Sequence, residues 1–373
     1  MQFWDWSTFI LFLIIFLVPL LIISPLGIKN GYIVIYEKVS DFHIFSALIL
    51  IMLILAFRSE NIGSDLLNYK MSFLELKNID ININLIIEYL SIREPIFIIL
   101  NYITGVTFNW NFQGFIFITS FIQLFFVYKT FKKLNINKIP LTIPFAFYFC
   151  FIYIRSFSMV RQSIALSIVL YAYTFLEEKN YKKFWFYSVI AIGVHYTAII
   201  TILIYFWSKN DKYSYIRKII LAITLVIVLF YSEFLFTKIF EIIGGKYSSM
   251  NFNMELGWGN LLIRLPLLLL ILLNYESMKK IYPGIVVFIN IYLLDIFIAH
   301  FKYLNVQFER FTMYTFMSLI FILPFLYKSM KKKYGIIISI ITPLIFIIWF
   351  AYNLYYYTNI NPYNIMPYET FLF

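Results

Sequence analysis

Long uninterrupted runs of apolar residues recur along almost the whole chain, separated by short polar and charged segments. The runs lack the alternation of apolar and polar residues that a membrane β-barrel strand needs. Backbone groups in lipid must be hydrogen-bonded within the segment, so solid apolar runs predict α-helices. We place them at 8–23, 42–57, 94–108, 111–128, 139–153, 159–177, 184–207, 217–234, 261–274, 284–301, 311–327 and 335–352.

The composition indicates a membrane protein. Hydrophobic residues make up 62% of the chain and charged residues 13%, whereas about 25% of residues are charged in a typical soluble domain. Mean hydropathy is +0.82. A transmembrane helix needs about 20 apolar residues. We therefore predict an all-α, polytopic integral membrane bundle of about 11 to 12 apolar segments, forming a single multi-pass membrane domain over residues 1–373.

The lysines predict which loops face the cytoplasm. They cluster in short segments at 129–138, 179–183, 209–218, 279–280 and 328–333. Positive charge in short loops marks the cytoplasmic side of a membrane protein. The loops at 58–93 and 235–260, and the tail from Asn353, are then expected outside.

Two apolar runs do not fit a simple alternation of sides. Lysines precede and follow the run at 184–207, so either it is a re-entrant pair of half-helices broken around Gly193 and His195, or a few lysines lie outside. The run at 94–108 begins with Glu94 and contains several polar residues. It is either a half-helix or an interfacial segment.

The arginines are distributed differently from the lysines. Six of seven lie at the edges of apolar segments, on the predicted outer side: Arg58, Arg93, Arg155, Arg161, Arg264 and Arg310. A guanidinium stays charged and binds phosphate or carboxylate through a planar fork, which an ammonium cannot do. This pattern favours a binding site for an anionic group, with anchoring at the membrane surface as the alternative.

Other polar residues near the outer ends of the runs are further candidates. Asp65 and Tyr69 follow the turn at Gly63 and would share one face of a helix. The alternative interpretation is an ordinary surface helix capped at its N-terminus. His195 interrupts an apolar run, where a polar side chain lines a cavity or packs against a neighbouring helix. Glu309 and Arg310 open a helix that continues through Tyr314, and their mutual ion pairing is the simpler interpretation.

Several common sites are missing from the sequence. No HExxH, paired-histidine, GxSxG, P-loop or dinucleotide-binding motif occurs, so we expect neither a metal nor a cofactor. The single cysteine, Cys150, excludes an intrachain disulfide.

The order of these elements resembles the EpsG family of Wzy-like exopolysaccharide and O-antigen polymerases. The resemblance extends from about Arg58 to Tyr314. It depends on Arg58 with Gly63-Ser-Asp65 and Tyr69, on Glu94-Pro95, on Arg161-Gln162-Ser-Ile-Ala165, on Ile190-Ala191 through His195-Tyr-Thr-Ala198, and on Glu309-Arg310 with Tyr314. The chain has Gly-Ser-Asp where Gly-Thr-Asp is common in the family, which keeps the hydroxyl.

The resemblance implies an inverting, metal-independent glycosyltransferase with a GT-C-like fold in the bacterial cytoplasmic membrane. Such an enzyme joins oligosaccharide repeat units carried on undecaprenyl diphosphate, at the outer face, during O-antigen, exopolysaccharide or capsule synthesis. The implied partners are this lipid-linked oligosaccharide, the bilayer, and flippase and chain-length regulator proteins, with no nucleic acid.

The resemblance also suggests roles for individual residues. Arg161, Arg155 and Arg310 are expected to stabilise the departing diphosphate. His195, Asp65 and Glu94 are alternative bases for the acceptor hydroxyl, and the sequence does not choose among them. The remaining candidates are substrate contacts: Arg58, Tyr69, Gln162, Arg264, Glu309 and Tyr314.

Two other functions compete with polymerisation. A lipid-linked oligosaccharide flippase would also use cations inside the membrane, but it would be expected to have two related halves, and no internal repeat is visible. A membrane O-acyltransferase would use His195 as its base from the cytoplasmic side. The outward bias of the arginines argues against that enzyme.

Overall fold

The computed structural model describes residues 5–24, 26–29, 32–35, 38–78, 94–136, 139–209, 258–299, 306–360 and 363–371, with the isolated positions 215, 219 and 223. These residues are mainly helical, and the all-α class predicted from the apolar runs is confirmed. A short antiparallel hairpin, Leu26–Lys29 (β1) with Tyr32–Ile35 (β2), lies between the first two helices.

Fifteen α-helices occur in the described part of the chain. The first eight are α1 (Trp6–Ile22), α2 (Asp41–Ala56), α3 (Leu66–Glu75), α4 (Pro95–Thr107), α5 (Phe112–Ile136), α6 (Thr142–Tyr148), α7 (Val160–Glu177) and α8 (Tyr181–Val194). The other seven are α9 (Ile200–Ser208), α10 (Trp258–Leu273), α11 (Tyr275–Ile281), α12 (Ile285–Ala299), α13 (Val306–Phe316), α14 (Leu319–Tyr334) and α15 (Ile336–Tyr355).

The chain divides into two compact units. The first consists of Met1–Ala198 with Ile320–Phe373, and the second of Ile199–Leu319. In the first unit, α7 packs against α5 and α8, and α2 packs against α5. Nearly every residue of α7 is buried, as expected of a helix that is enclosed by its neighbours on all sides. In the second unit, α12 packs against α9, α10 and α13.

The predicted spans largely coincide with observed helices. Two of the described helices, Phe112–Ile136 and Ile336–Ile360, are long and apolar enough to cross a membrane alone, and Glu309–Phe316 with Leu319–Tyr334 would make a third if this bent pair is one span. Seven shorter apolar helices of 10–17 residues occur among the described residues. Most of the run predicted at 217–234 and most of the loop predicted at 235–260 lie outside the described residues, as do residues 79–93 of the loop predicted at 58–93, including Arg93.

The apolar run at 184–207 is broken, as one of its two interpretations requires. Helix α8 ends at Val194, and His195 adopts an extended conformation with φ −152° and ψ 118°. A 3₁₀ turn, Tyr196–Ile199, then leads into α9. Helix α4 has 13 residues, which span about 20 Å and so fall short of the ~30 Å hydrocarbon layer. Both observations are compatible with half-helices.

The helices of the first unit have a charged end marked by lysines. Lys132 of α5 pairs with Asp41 at the start of α2 (2.5 Å), and Lys133 pairs with Glu178 at the end of α7 (2.7 Å). Lys133 also lies 3.7 Å from the centroid of the Phe175 ring. The predicted cytoplasmic lysines therefore lie where α2 and α8 begin and where α5 and α7 end.

The C-terminal segment 363–371, here called the strap, runs along the segment that follows α2. Ser59 N donates to Glu369 O (2.9 Å), and Ser64 N donates to Tyr363 O (3.1 Å). The backbones of Arg58 and Thr370 pair as in an antiparallel β-sheet. The Tyr368 hydroxyl donates to the Ile54 carbonyl at 2.7 Å. The end of the chain thus lies at the same end of the first unit as the beginnings of α3 and α7.

A substitution at Gly63 tests whether the close approach of this residue to the backbone of Phe157 is required for folding. Its φ is +113°, and a Cβ there would lie 1.9 Å from the Phe157 carbonyl oxygen. We expect Gly63→Ala to destabilise the protein by more than the about 1–3 kcal/mol typical of overpacking, since the obstructing atom belongs to the backbone. The measurement is monodisperse yield and apparent Tm in detergent.

Gly335→Ala is the matched control for this test. Gly335 also has a positive φ, +57°, but no heavy atom lies within 4 Å of the position its Cβ would take. We expect only backbone strain of about 1–2 kcal/mol there. Equal losses in the two variants would show that the contact with Phe157 is unimportant.

Candidate active site

A buried carboxylate, Glu94, joins three parts of the first unit. Glu94 immediately precedes α4, and its backbone oxygen accepts from Ile98 N at 3.1 Å. Pro95 follows at the first helical position, where its fixed φ and missing N–H suit a helix start. The Glu94 side chain does not cap its own helix and is only 7% exposed. It is therefore available to residues of other helices.

Arg161 binds one oxygen of this carboxylate. Its Nη1 donates to Glu94 Oε2 at 2.6 Å. Arg161 lies in the first turn of α7, and 39% of its side chain is exposed. Its guanidinium carbon also lies 5.7 Å from the centroid of the Phe97 ring. A buried carboxylate thus orients the guanidinium of a side chain that is itself partly exposed.

His195 binds the other oxygen. Its Nδ1 is hydrogen-bonded to Glu94 Oε1, and the following backbone amide, Tyr196 N, donates to the same oxygen at 3.2 Å. The break after α8 aims both groups at the carboxylate. His195 itself is only 5% exposed, so it contacts Glu94 from the protein interior. Because Nδ1 is engaged, proton exchange by His195 would pass through Nε2.

Tyr69 of α3 completes the cluster. Arg161 Nε lies 3.5 Å from the Tyr69 hydroxyl, at the limit of a hydrogen bond. The Arg161 guanidinium carbon lies 5.3 Å from the centroid of the Tyr69 ring, within cation–π range. Burial raises the pKa of Tyr69, and the positive charge of Arg161 opposes this shift only in part. Tyr69 therefore presents a neutral hydroxyl.

The structure thus brings together four residues singled out in the sequence. Tyr69, Glu94, Arg161 and His195 come from segments far apart along the chain, and Glu94 and His195, which are hydrogen-bonded, are 101 residues apart. Arg161 begins α7 and His195 follows α8, so the cluster lies at the opposite end of these helices from the pair Lys133–Glu178. We call these four residues the Glu94 cluster.

Two further candidates lie next to the Glu94 cluster. Asp65 precedes α3 and accepts from Tyr69 N through its backbone oxygen at 3.1 Å. It occupies the N-cap position, but its half-buried side chain makes no capping hydrogen bond. Gln162, adjacent to Arg161, is 3% exposed and so belongs to the interior of the first unit.

Arg58 and Arg155 are held elsewhere at this end. Arg58 is 1% exposed, donates to the Leu55 carbonyl and lies 5.5 Å from the Phe157 ring centroid. Arg155 is half-buried, donates to the Phe151 carbonyl and lies 5.1 Å from the Tyr357 ring centroid. Neither arginine joins the Glu94 cluster. The predicted roles, substrate contact for Arg58 and binding of the departing diphosphate for Arg155, stay predictions.

The remaining candidates lie in the second unit. Arg264 Nε donates to Asp295 Oδ2 at 2.7 Å, and Asp295 also accepts from the Thr315 hydroxyl at 2.8 Å. Glu309 is exposed, Arg310 is half-buried and Tyr314 is fully buried in α13. The predicted substrate-binding roles of these residues also stay predictions.

Sequence reasoning missed Asp295 and Tyr196. Asp295 is an acidic residue inside the predicted span 284–301 and is completely buried. An ionisable residue at such a position is a functional or structural site by default, and that rule would have found it. Tyr196 contributes a backbone amide, for which the sequence carries no signal.

Among the described residues, no group of three or more histidine, cysteine, aspartate or glutamate side chains could hold a metal ion. The ionisable groups of the Glu94 cluster are a guanidinium, an imidazole, a phenol and one carboxylate. Such a set can bind an anion and position a polar group.

The sequence model of the EpsG family matches residues 41–370. The chain belongs to the EpsG family. The match covers all four members of the Glu94 cluster. No curated protein and no solved structure matches the chain. Family membership and the apolar helices identify a membrane protein and a polysaccharide polymerase of the glycosyltransferase type.

Glu94→Gln should disable this EpsG-family protein without unfolding it. The amide keeps the shape of the side chain, but it loses the charge that holds Arg161. Its nitrogen also faces either Arg161 or the two groups at the other oxygen, His195 and Tyr196 N. We expect high-mass polysaccharide to fall at least about tenfold, as when charge-assisted hydrogen bonds worth about 1.5–3 kcal/mol are lost. The measurement is polymer formed in cells at matched membrane expression.

Glu60→Gln is the matched control for Glu94→Gln. Glu60 pairs with Lys70 at 2.5 Å, but 42% of its side chain is exposed. An exposed ion pair contributes about 0–1 kcal/mol, so polymer should stay near the wild-type level. Normal polymer from Glu94→Gln would mean that the Glu94 charge is dispensable.

Proposed function

We propose that this protein elongates a glycan by transferring lipid-linked oligosaccharide repeat units at the outer face of the bacterial cytoplasmic membrane. We expect the donor and acceptor to be carried on a polyprenyl diphosphate, and membership of the EpsG family implies undecaprenyl diphosphate. The observation that supports the proposal is the sharing of one buried carboxylate by Arg161 and His195. The Glu94 carboxylate holds the partly exposed Arg161 side chain at the end of the helices where a diphosphate at the membrane surface would lie.

Arg161 would bind the leaving group. As the bond between the anomeric carbon and the diphosphate oxygen breaks, negative charge grows on that oxygen. A preorganised guanidinium stabilises this charge more than it stabilises the ground state. We propose that Arg161 supplies this positive charge and that transfer proceeds without a metal ion.

Glu94 and His195 would act as positioning residues. Both are nearly buried, and both oxygens of Glu94 are already engaged. A carboxylate that accepts from several donors, one of them a guanidinium, is a weak base, since each donor stabilises its ionised form. Glu94 therefore orients Arg161, and His195 orients Glu94.

Asp65 is the residue we propose as base. Its carboxylate is half-buried and is not used to cap α3, and it lies one helical turn before Tyr69, which contacts Arg161. It would take the proton of the acceptor hydroxyl as that oxygen attacks the anomeric carbon. Attack opposite the departing diphosphate inverts the configuration.

The outer location is supported by the charge distribution of the first unit. The Glu94 cluster lies at the end of α7 that is remote from Lys133 and Glu178. Since lysine-rich ends favour the cytoplasm, the opposite end is expected to face outward. A polyprenyl diphosphate would have its charged head at this surface and its tail in the lipid.

Two substitutions separate the proposed roles. Arg161→Lys should raise KM and lower kcat by at least about tenfold, because an ammonium cannot reproduce the fork that contacts Glu94 and diphosphate together. Asp65→Asn should lower kcat while KM stays near the wild-type value, because only proton removal is lost. Steady-state elongation by purified protein measures both. Wild-type kinetics for Arg161→Lys would identify Arg161 as a membrane anchor.

The reaction itself can be tested with purified protein in lipid vesicles. Lipid-linked repeat units alone should be lengthened, without nucleotide sugar or added divalent metal, because the donor diphosphate bond supplies the free energy. In cells, deletion of the protein should abolish high-mass polymer and leave single repeat units accessible from outside. Repeat units confined to the inner leaflet after deletion would instead indicate a flippase.

A further inference from the structure

The C-terminal strap contacts both segments that lead into the Glu94 cluster. Tyr363 accepts from Ser64 N through its carbonyl oxygen at 3.1 Å, and its hydroxyl lies 3.4 Å from Met159 Sδ. Ser64 precedes α3, which carries Tyr69, and Met159 precedes α7, which carries Arg161. One residue at the end of the chain therefore touches the starts of two helices that are far apart in sequence.

The two segments also contact each other directly. The hydroxyls of Ser64 and Ser158 are 2.7 Å apart, and a Cβ on Gly63 would collide with the Phe157 carbonyl. Gly63 N further donates to Asn364 O of the strap at 3.3 Å. The strap, the segment before α3 and the turn before α7 therefore form one junction.

Tyr363 is itself held in place by an aromatic partner. Its ring stacks on Tyr357 with centroids 4.5 Å apart, and the Tyr357 ring lies 5.1 Å from the Arg155 guanidinium carbon. An offset aromatic pair contributes about 0.5–1.5 kcal/mol beyond its buried area. The backbone of Tyr363 is thus fixed against Ser64 by a contact on its side chain.

The contact between Arg161 and Tyr69, which lies beyond this junction, tolerates little displacement. Arg161 Nε and the Tyr69 hydroxyl are 3.5 Å apart, so a further displacement of less than about 1 Å breaks their hydrogen bond. We propose that Tyr363 is a positioning residue of the active site, which sets the separation of Tyr69 and Arg161 through the junction at Ser64 and Ser158. This role concerns the proposed elongation reaction.

Tyr363→Ala should therefore lower kcat by at least about tenfold, given that a misplacement of about 1 Å in an active site can cost 10²-fold. Tyr363→Phe keeps the ring and the carbonyl, loses only a weak contact to sulfur, and should stay within about threefold of wild type.

Tyr352→Ala is the matched control, since this tyrosine is 57% exposed on α15. If Tyr363→Ala does not fold, Tyr363→Leu replaces it. Wild-type kinetics for the folded variant would overturn the proposal.

A disulfide can take over the role of Tyr363 and so separate positioning from general stability. Ser64→Cys and Ser158→Cys, in a Cys150→Ala background, place two thiols where the hydroxyls now meet. In the Tyr363→Ala protein, oxidation should restore most of kcat, and reduction should remove it again. A fully formed disulfide that leaves Tyr363→Ala inactive would show that Tyr363 does not act through this junction.

The rate of disulfide formation gives a readout that needs no substrate. With Tyr363 present, the two cysteines should link several times faster under mild oxidant than with Tyr363→Ala. Equal rates would refute the positioning role whatever the protein catalyses. If instead the rates differ but wild-type protein fails to elongate lipid-linked repeat units, the junction stands and the proposed polymerase reaction is wrong.

Discussion

The candidate active site depends on the contacts of the Glu94 carboxylate. It is nearly buried, and it holds Arg161 on one oxygen and His195 with the Tyr196 amide on the other. A buried charge is costly unless it is paired and hydrogen-bonded, and removing one partner leaves the other uncompensated. The start of α4, the start of α7 and the break after α8 must therefore meet at this one point.

The rest of the first unit can be understood from that requirement. Helix α7 is enclosed by its neighbours, which fixes the position of Arg161 at its first turn. The extended conformation of His195 directs both its ring and the next amide toward Glu94. At the same end of the first unit, the strap joins the segments before α3 and α7. Rigid helices thus place the charged groups, and irregular segments aim them.

The separation of arginine from lysine acquires a structural meaning in this arrangement. Lys132 and Lys133 pair with Asp41 and Glu178 at one end of the first unit, whereas Arg161 pairs with Glu94 at the other. Surface lysine pairs contribute little to stability and mainly orient the chain in the membrane. A guanidinium bound by a buried carboxylate is instead preorganised for an anionic ligand.

The sequence by itself determined the helical membrane class, the positions of most described helices and the family, because apolar run length and polar interruptions are local properties. It offered the break near His195 only as one of two alternatives, and the structure decided between them. It also singled out Tyr69, Glu94, Arg161 and His195 as candidates. Only the tertiary structure decided that these four meet while Arg58 is buried beside Phe157 and Arg264 pairs with Asp295. The reason is physical: which guanidinium finds which carboxylate depends on helix packing between segments distant along the chain, and no local pattern encodes that.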